Sequence, residues 1–157
     1  MGDRAQLQQL RSNEKVNQYL DRPKIITIDD CELFIRKIDD FILNNKSVYW
    51  VITQKPDNIL IGTICLWNFL IEKDIVELGY ELSPAHQGKG IMQEAVEKVI
   101  AYGFDIIQAK VIIALPRAEN SNSVNLLKRS NFQLDIHHHY ATEADGYVCY
   151  YLSPDNR

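Results

Sequence analysis

The run Ser83-Pro84-Ala85-His86-Gln87-Gly88-Lys89-Gly90 has residue types suited to holding an anion. Gly88 and Gly90 carry no side chain, so the backbone there can curl and aim successive N–H groups at one point. Directly after it, apolar pairs recur every fourth residue (Ile91/Met92, Ala95/Val96, Val99/Ile100, Gly103/Phe104), the stripe of an amphipathic helix over 91–108. The unpaired amides and the dipole at a helix N-terminus favour an anion, by roughly 0.3–2 kcal/mol per charge. Lys89 adds a positive charge, and the whole suits a pyrophosphate. The GxxxxGK[ST] loop is absent, and so is GxGxxG followed by an acid about 20 residues on.

The strand reading before this loop, Ile75–Leu82, alternates. Val76, Leu78, Tyr80 and Leu82 share one face, and Glu77, Gly79 and Glu81 share the other. Gly79 inside it predicts a bulge or a close backbone approach. His137-His138-His139 invites a metal reading, but alternation in a strand sends adjacent histidines to opposite faces, so no metal site is expected. Cys31, Cys65 and Cys149 are odd in number, far apart and without CxxC spacing, and read as reduced thiols in the core.

These candidates need elements to hold them. Polar sequence from Asp3 to Leu20 predicts one or two short helices ending before Pro23, and Thr27-Ile28-Asp29-Asp30 starts a further helix that stops at Asn44-Asn45. Ser47–Gln54 and Ile59–Trp67 read as a strand hairpin around Lys55–Asn58, and Ile75–Leu82 as a third strand. After the 91–108 helix come a strand at Lys110–Leu115 and a short helix with Val124, Leu126 and Leu127. A left-handed residue is expected at Asn131, then a final hairpin, Phe132–Tyr140 with Tyr147–Leu152, around Ala144-Asp145-Gly146. The strand–helix–strand run over 75–115 implies one parallel pair with a right-handed crossover. The expected class is mixed α/β, with a mostly antiparallel central sheet, one parallel strand pair and flanking helices.

At 157 residues, the chain fits a single domain, 1–157. Its 46 % apolar and 24 % charged residues are the balance of a soluble globular protein. A net charge of −4 disfavours a nucleic-acid partner. No stretch approaches the ~18 uninterrupted apolar residues of a membrane span, and no signal sequence or myristoylation pattern follows Met1-Gly2, so no membrane partner and a cytoplasmic location are expected.

The segment Glu77-Leu-Gly-Tyr-Glu-Leu-Ser-Pro-Ala-His-Gln-Gly-Lys-Gly-Ile-Met-Gln-Glu-Ala95 resembles the central motif of the GNAT (GCN5-related) N-acetyltransferases. Gln87, Gly88, Lys89, Gly90 and Ile91 match, and Met92 stands where the family prefers Gly or Ala. Glu119-Asn120-Ser-Asn-Ser123…Leu126-Leu127…Asn131-Phe132 is similar to the family's Glu-Asn-x-x-Ser…Gly-Phe segment, with Asn131 for the usual Gly. The resemblance covers roughly 15–152 and is nearest to the branch containing ribosomal-protein N-terminal acetyltransferases.

That resemblance implies the acyl-CoA N-acyltransferase fold and acetyl transfer from acetyl-CoA to an amine acceptor, a peptide or a small molecule, in a ternary complex. The amides of Gln87, Gly88, Lys89, Gly90, Ile91 and Met92 would hold the coenzyme A pyrophosphate. The backbone of Tyr80 to Leu82 would pair with the pantetheine arm, Asn120 would hydrogen-bond it, and Ser123 would lie near the thioester sulfur. An attacking amine must be deprotonated, which makes Glu77 and Glu81 the candidate bases. Many family members help the thiolate leave with a Tyr. Leu127 stands at that position here, which leaves the task to Ser123 or a water it holds. Leu127 and Met92 also feed an alternative, a catalytically silent coenzyme A binder acting through a partner. Relatives usually begin with a strand that this sequence lacks. The uncharged, strongly β-forming Ser47–Gln54 would then be an open edge, and a homodimer covering it is expected.

Overall fold

The computed structural model describes residues 4–22, 27–70, 74–140 and 146–157. Met1-Gly2, Pro23 and the expected turn residues Ala144-Asp145 lie outside them. In order come α1 (Arg4–Ser12), α2 (Glu14–Asn17), α3 (Ile28–Leu43), β1 (Val48–Gln54), β2 (Ile59–Leu70) and β3 (Ile75–Leu82). They are followed by α4 (Ile91–Asp105), β4 (Val111–Ala114), α5 (Ser121–Arg129), β5 (Gln133–Leu134) and β6 (Tyr150–Leu152). Strand order in the six-stranded open sheet is β1-β2-β3-β4-β6-β5, and β3 pairs with β4 in parallel, as the crossover rule requires.

Two compact units are distinguishable, one of residues 1–65 with 80–95 and one of 66–79 with 96–157. In the first, α1 and α3 close on β2 through Leu7, Leu10, Cys31 and Leu60, with Val16, Phe34 and Ile35 packed against them. α3 starts where the sequence says it must. The Thr27 hydroxyl accepts from the Asp30 N–H at 3.1 Å, and the Asp30 carboxylate accepts from the Thr27 N–H at 2.9 Å. Such a reciprocal cap contributes about 1 kcal/mol. Asn45 just beyond the helix takes φ 54°.

In the second unit, Ile75, Val111, Ile113 and Cys149 form one core, with Leu115, Tyr140 and Tyr151 packed against it. The parallel ladder runs Ile75–Glu77 against Val111–Ile113, and β3 continues past it to Leu82. β4 and β5 each pair antiparallel with β6.

The last hairpin departs from expectation. β5 ends at Leu134, β6 begins at Tyr150, and Tyr147 forms an isolated bridge to Arg117 outside any strand. Asp135 is the reason. Its buried carboxylate accepts the backbone N–H groups of His139 at 3.1 Å and Tyr140 at 2.9 Å, curling the chain into a turn with His138 at φ 53°. His137, His138 and His139 therefore sit exposed in a turn and not on a strand. Strand alternation is not what separates them, although no cluster of three metal-ligating side chains forms among the described residues.

Candidate active site

In the first unit, the glycine loop has the geometry its sequence calls for. Gly88 and Gly90 adopt φ 73° and 80°, the left-handed region closed to most side chains, and a Cβ built on either meets nothing within 4 Å. A side chain at either position would therefore stand in open space beside the loop. The first α4 hydrogen bond runs from the Glu94 N–H to the Gly90 carbonyl at 3.0 Å, so the amides of Ile91 and Met92 precede it at the helix end. Lys89 is exposed. The Met92 side chain, the departure from the family pattern, is buried at 8 % exposure and so leaves the loop face clear. These features fit a diphosphate group.

The end of β3 is fixed against β2. The Ser83 N–H donates to the Ile61 carbonyl at 2.8 Å, so alternation turns the N–H and C=O groups of Tyr80 and Leu82 away from β2. Gln87 Nε2 donates to the Leu82 carbonyl at 3.0 Å, tying the loop to the strand. A Cβ on Gly62 would lie 2.6 Å from the Glu81 carbonyl oxygen, so β2 can come this close only without a side chain there.

Glu81 is no solvated strand residue. Its side chain is 4 % exposed and receives Arg11 Nε at 2.9 Å, Arg22 Nη2 at 2.5 Å and the Thr63 hydroxyl at 2.9 Å. Burial by itself would raise this carboxyl, but the Arg11 and Arg22 guanidiniums outweigh it and hold it below the usual carboxylate range. Arg11 also lies over the Phe34 ring, 3.6 Å from its centroid. Nothing in the sequence pointed to either arginine. Arg11 stands 70 positions from Glu81.

Glu77, in the second unit, has the opposite environment. Burial raises its carboxyl above the ordinary range, opposed by one hydrogen bond from Asn68 Nδ2 to Oε2 at 3.1 Å. Asn68 adopts φ 50° inside β2. Asparagine tolerates this conformation, so an Asn in a strand otherwise rich in β-branched and aromatic residues was the available signal for a kink. Burial, then the charges of Asp135 and Glu77, push the Cys149 thiol up to about 12, so it stays neutral.

Also in the second unit, Asn120 is the N-cap of α5, its Oδ1 accepting from the Ser123 N–H at 3.2 Å. Capping thus falls to Asn120, and the Ser123 hydroxyl is not required for it. Leu127 is fully buried and Asn131 takes φ 64°, as expected.

A mixed sheet with one parallel pair, joined by a crossover that opens on a glycine turn at a helix N-terminus, defines an acyl-CoA N-acyltransferase fold. The acetyltransferase (GNAT) domain profile matches residues 2–133. An uncharacterized N-acetyltransferase, p20 of Bacillus licheniformis, is 32 % identical over 123 residues, which cover 78 % of this chain and 68 % of p20. The chain belongs to the GNAT family and is an acetyl-CoA-dependent N-acetyltransferase. Among solved structures, the Vibrio fischeri ribosomal-protein-S5-alanine acetyltransferase matches with a TM-score of 0.78 at 19 % identity, covering 99 % of this chain and 92 % of that one. Spermidine N-acetyltransferase from Vibrio cholerae, solved with CoA and spermine, matches at 0.80 and 21 %, with the same coverage of 99 % and 92 %. At these identities the structural likeness speaks for the fold.

Proposed function

We propose that this chain transfers the acetyl group of acetyl-CoA directly to an amine, a peptide N-terminus or a small molecule, within a ternary complex. The observation that carries this is the left-handed Gly88/Gly90 turn opening onto the N-terminus of α4. In this reading the amides of Gln87 to Met92 hold the pyrophosphate, with Lys89 adding its charge. The outward backbone of Tyr80 and Leu82 pairs with the pantetheine arm. Asn120, whose Oδ1 serves the helix cap, offers its Nδ2 to the same arm.

The chemistry follows from the two glutamates' environments. A base for an ammonium works best with a pKa raised toward the working pH, and burial moves Glu77 in that direction. Glu77 takes the proton, directly or through one water. The freed nitrogen lone pair attacks the thioester carbonyl carbon, forming C–N and an oxyanion. Collapse breaks C–S, and the second proton of the attacking nitrogen passes to the departing thiolate through the Ser123 hydroxyl or a water it holds, because Leu127 supplies none, leaving a neutral amide and free thiol. Glu81, held ionised by two guanidiniums, positions the β3 end and is the weaker base. The chain 1–157 acts as one cytoplasmic catalytic domain without a metal, and no described helix is long and apolar enough to cross a membrane.

A homodimer fits β1, which is an edge strand with Val51 45 % exposed, beside a cavity of about 380 Å³ whose apolar wall of Phe34, Ile38, Ile42, Tyr49 and Val51 is joined by Arg4, Glu32, Arg36 and Asp39. Light scattering at micromolar concentration tests it, and a monomer with fast hydrogen exchange over 48–53 rejects it. The transfer itself is tested by thiol release from acetyl-CoA across a panel of amines. Turnover on at least one acceptor supports the reading, whereas binding without turnover on all of them leaves a silent coenzyme A binder.

A further inference from the structure

The cluster around Glu81 carries an unbalanced charge. Arg11, Arg22 and Glu81 have side chains 11 %, 20 % and 4 % exposed, so two cations and one anion share a largely dry site. Beyond Glu81, Arg22 meets Asn17 Oδ1 through Nε at 3.1 Å and Nη2 at 3.0 Å, and Arg11 meets the face of Phe34. Among the described residues these are the partners of the two guanidiniums, and Glu81 is the one carboxylate in the set. Tyr49, which also borders Glu81 and Arg11, cannot supply a second anion, because burial and then the Glu81 charge push its phenol up.

A guanidinium has five donors in a fixed fork. Arg11 commits Nε to Glu81, and Arg22 commits Nε and Nη2 to Asn17 and Glu81. Donors on Arg11 Nη1 and Nη2 and on Arg22 Nη1 remain beyond those bonds. Holding a surplus positive charge away from water is costly unless an anion answers it, and charge-assisted bonds from arginine to a carboxylate are among the strong ones. A free polycation is what such a site repels.

We propose that Arg11 and Arg22 recognise the acceptor, and that the acceptor is an amine bearing a carboxylate, either a free amino acid or a peptide with an acidic residue at its N-terminal end. Polyamines are excluded by the same charge. This deepens the proposed function and rests on it, since Glu81 belongs to the Tyr80–Leu82 segment along which the pantetheine arm is placed.

The test compares acceptors that differ only in carboxylate against amide: amino acids with their α-amides, and peptides beginning Asp or Glu with those beginning Asn or Gln, with spermidine as a third arm. Wild-type enzyme is expected to favour the carboxylate by at least about tenfold in kcat/KM, the worth of a charged hydrogen bond. Which pair shows the preference tells a free amino acid from a peptide. In Arg22→Gln the ratio should fall to near one, a readout that does not depend on how much variant is folded. Equal rates for carboxylate and amide, or preference for spermidine, overturn the proposal while leaving acetyl transfer intact. Should no acceptor turn over, calorimetry of the N-acetylated carboxylate and N-acetylated amide on the wild-type chain with CoA decides: tighter carboxylate binding supports the proposal, and equal binding rejects it.

Discussion

Glu81→Gln strikes the most interdependent group in the first unit. The substitution keeps the shape and the Thr63 contact but removes the charge that answers Arg11 at 2.9 Å and Arg22 at 2.5 Å. Breaking a buried ion pair from one side costs about 3–5 kcal/mol, because the partner's charge stays buried. In a chain of this size each kcal/mol moves Tm by about 2–4 °C, so a fall of roughly 6–20 °C at neutral pH is expected. The pH dependence has a definite sign. The folded pKa of Glu81 lies below its unfolded value of about 4.3, so its contribution is fully present above that value and is lost as pH falls through the folded pKa. The gap between wild type and variant should therefore be flat at neutral and mildly acidic pH and close below about pH 4. Thermal melts followed by circular dichroism at several pH values read this directly. A fall of less than about 2 °C at neutral pH, or a gap that widens with acidity, refutes the argument that the arginines hold Glu81 ionised.

Three further outcomes follow from the site. Gly90→Glu places a carboxylate beside the start of α4 at φ 80°, so calorimetry should show acetyl-CoA binding lost, while the left-handed backbone costs the fold only about 1–2 kcal/mol; unchanged affinity would mean the pyrophosphate lies elsewhere. In Ser123→Ala, kcat should fall further than acetyl-CoA affinity, since Asn120 still caps α5; equal losses would reduce Ser123 to a cofactor contact. Glu77→Gln should lower kcat/KM by about 10²–10⁴-fold and erase the limb that rises with pH through a carboxyl raised by burial; an unchanged rate and profile would move the base elsewhere, with His138 next to examine.

What the sequence discloses here is local, and what it hides is distant. Thr27 and Asp30 are three positions apart, so the capping box can be read directly. The glycine turn and the apolar stripe after it lie within one run, so the left-handed turn at the start of α4 can be read from local sequence. Glu81 is different, because whether an alternating-strand glutamate is solvated or clamped depends on arginines from α1 and from beyond α2, and no spacing encodes that. The histidine turn failed for a physical reason. Three polar residues after the alternating Phe132–Ile136 look like strand continuation, but a single Asp135 carboxylate satisfies two backbone donors and ends the ladder. Asn68 was readable in principle, as an asparagine interrupting a β-forming run, and its left-handed backbone aims its amide at Glu77.

Direct attack by the amine is the centre of this account, and rapid-quench mass spectrometry of enzyme, acetyl-CoA and acceptor tests it most directly. The expected result is acetylated amine and free thiol appearing one for one, with no acetyl group on the protein when the acceptor is left out. An acetylated protein that forms before acceptor is added and passes its acetyl group on at a competent rate would contradict it.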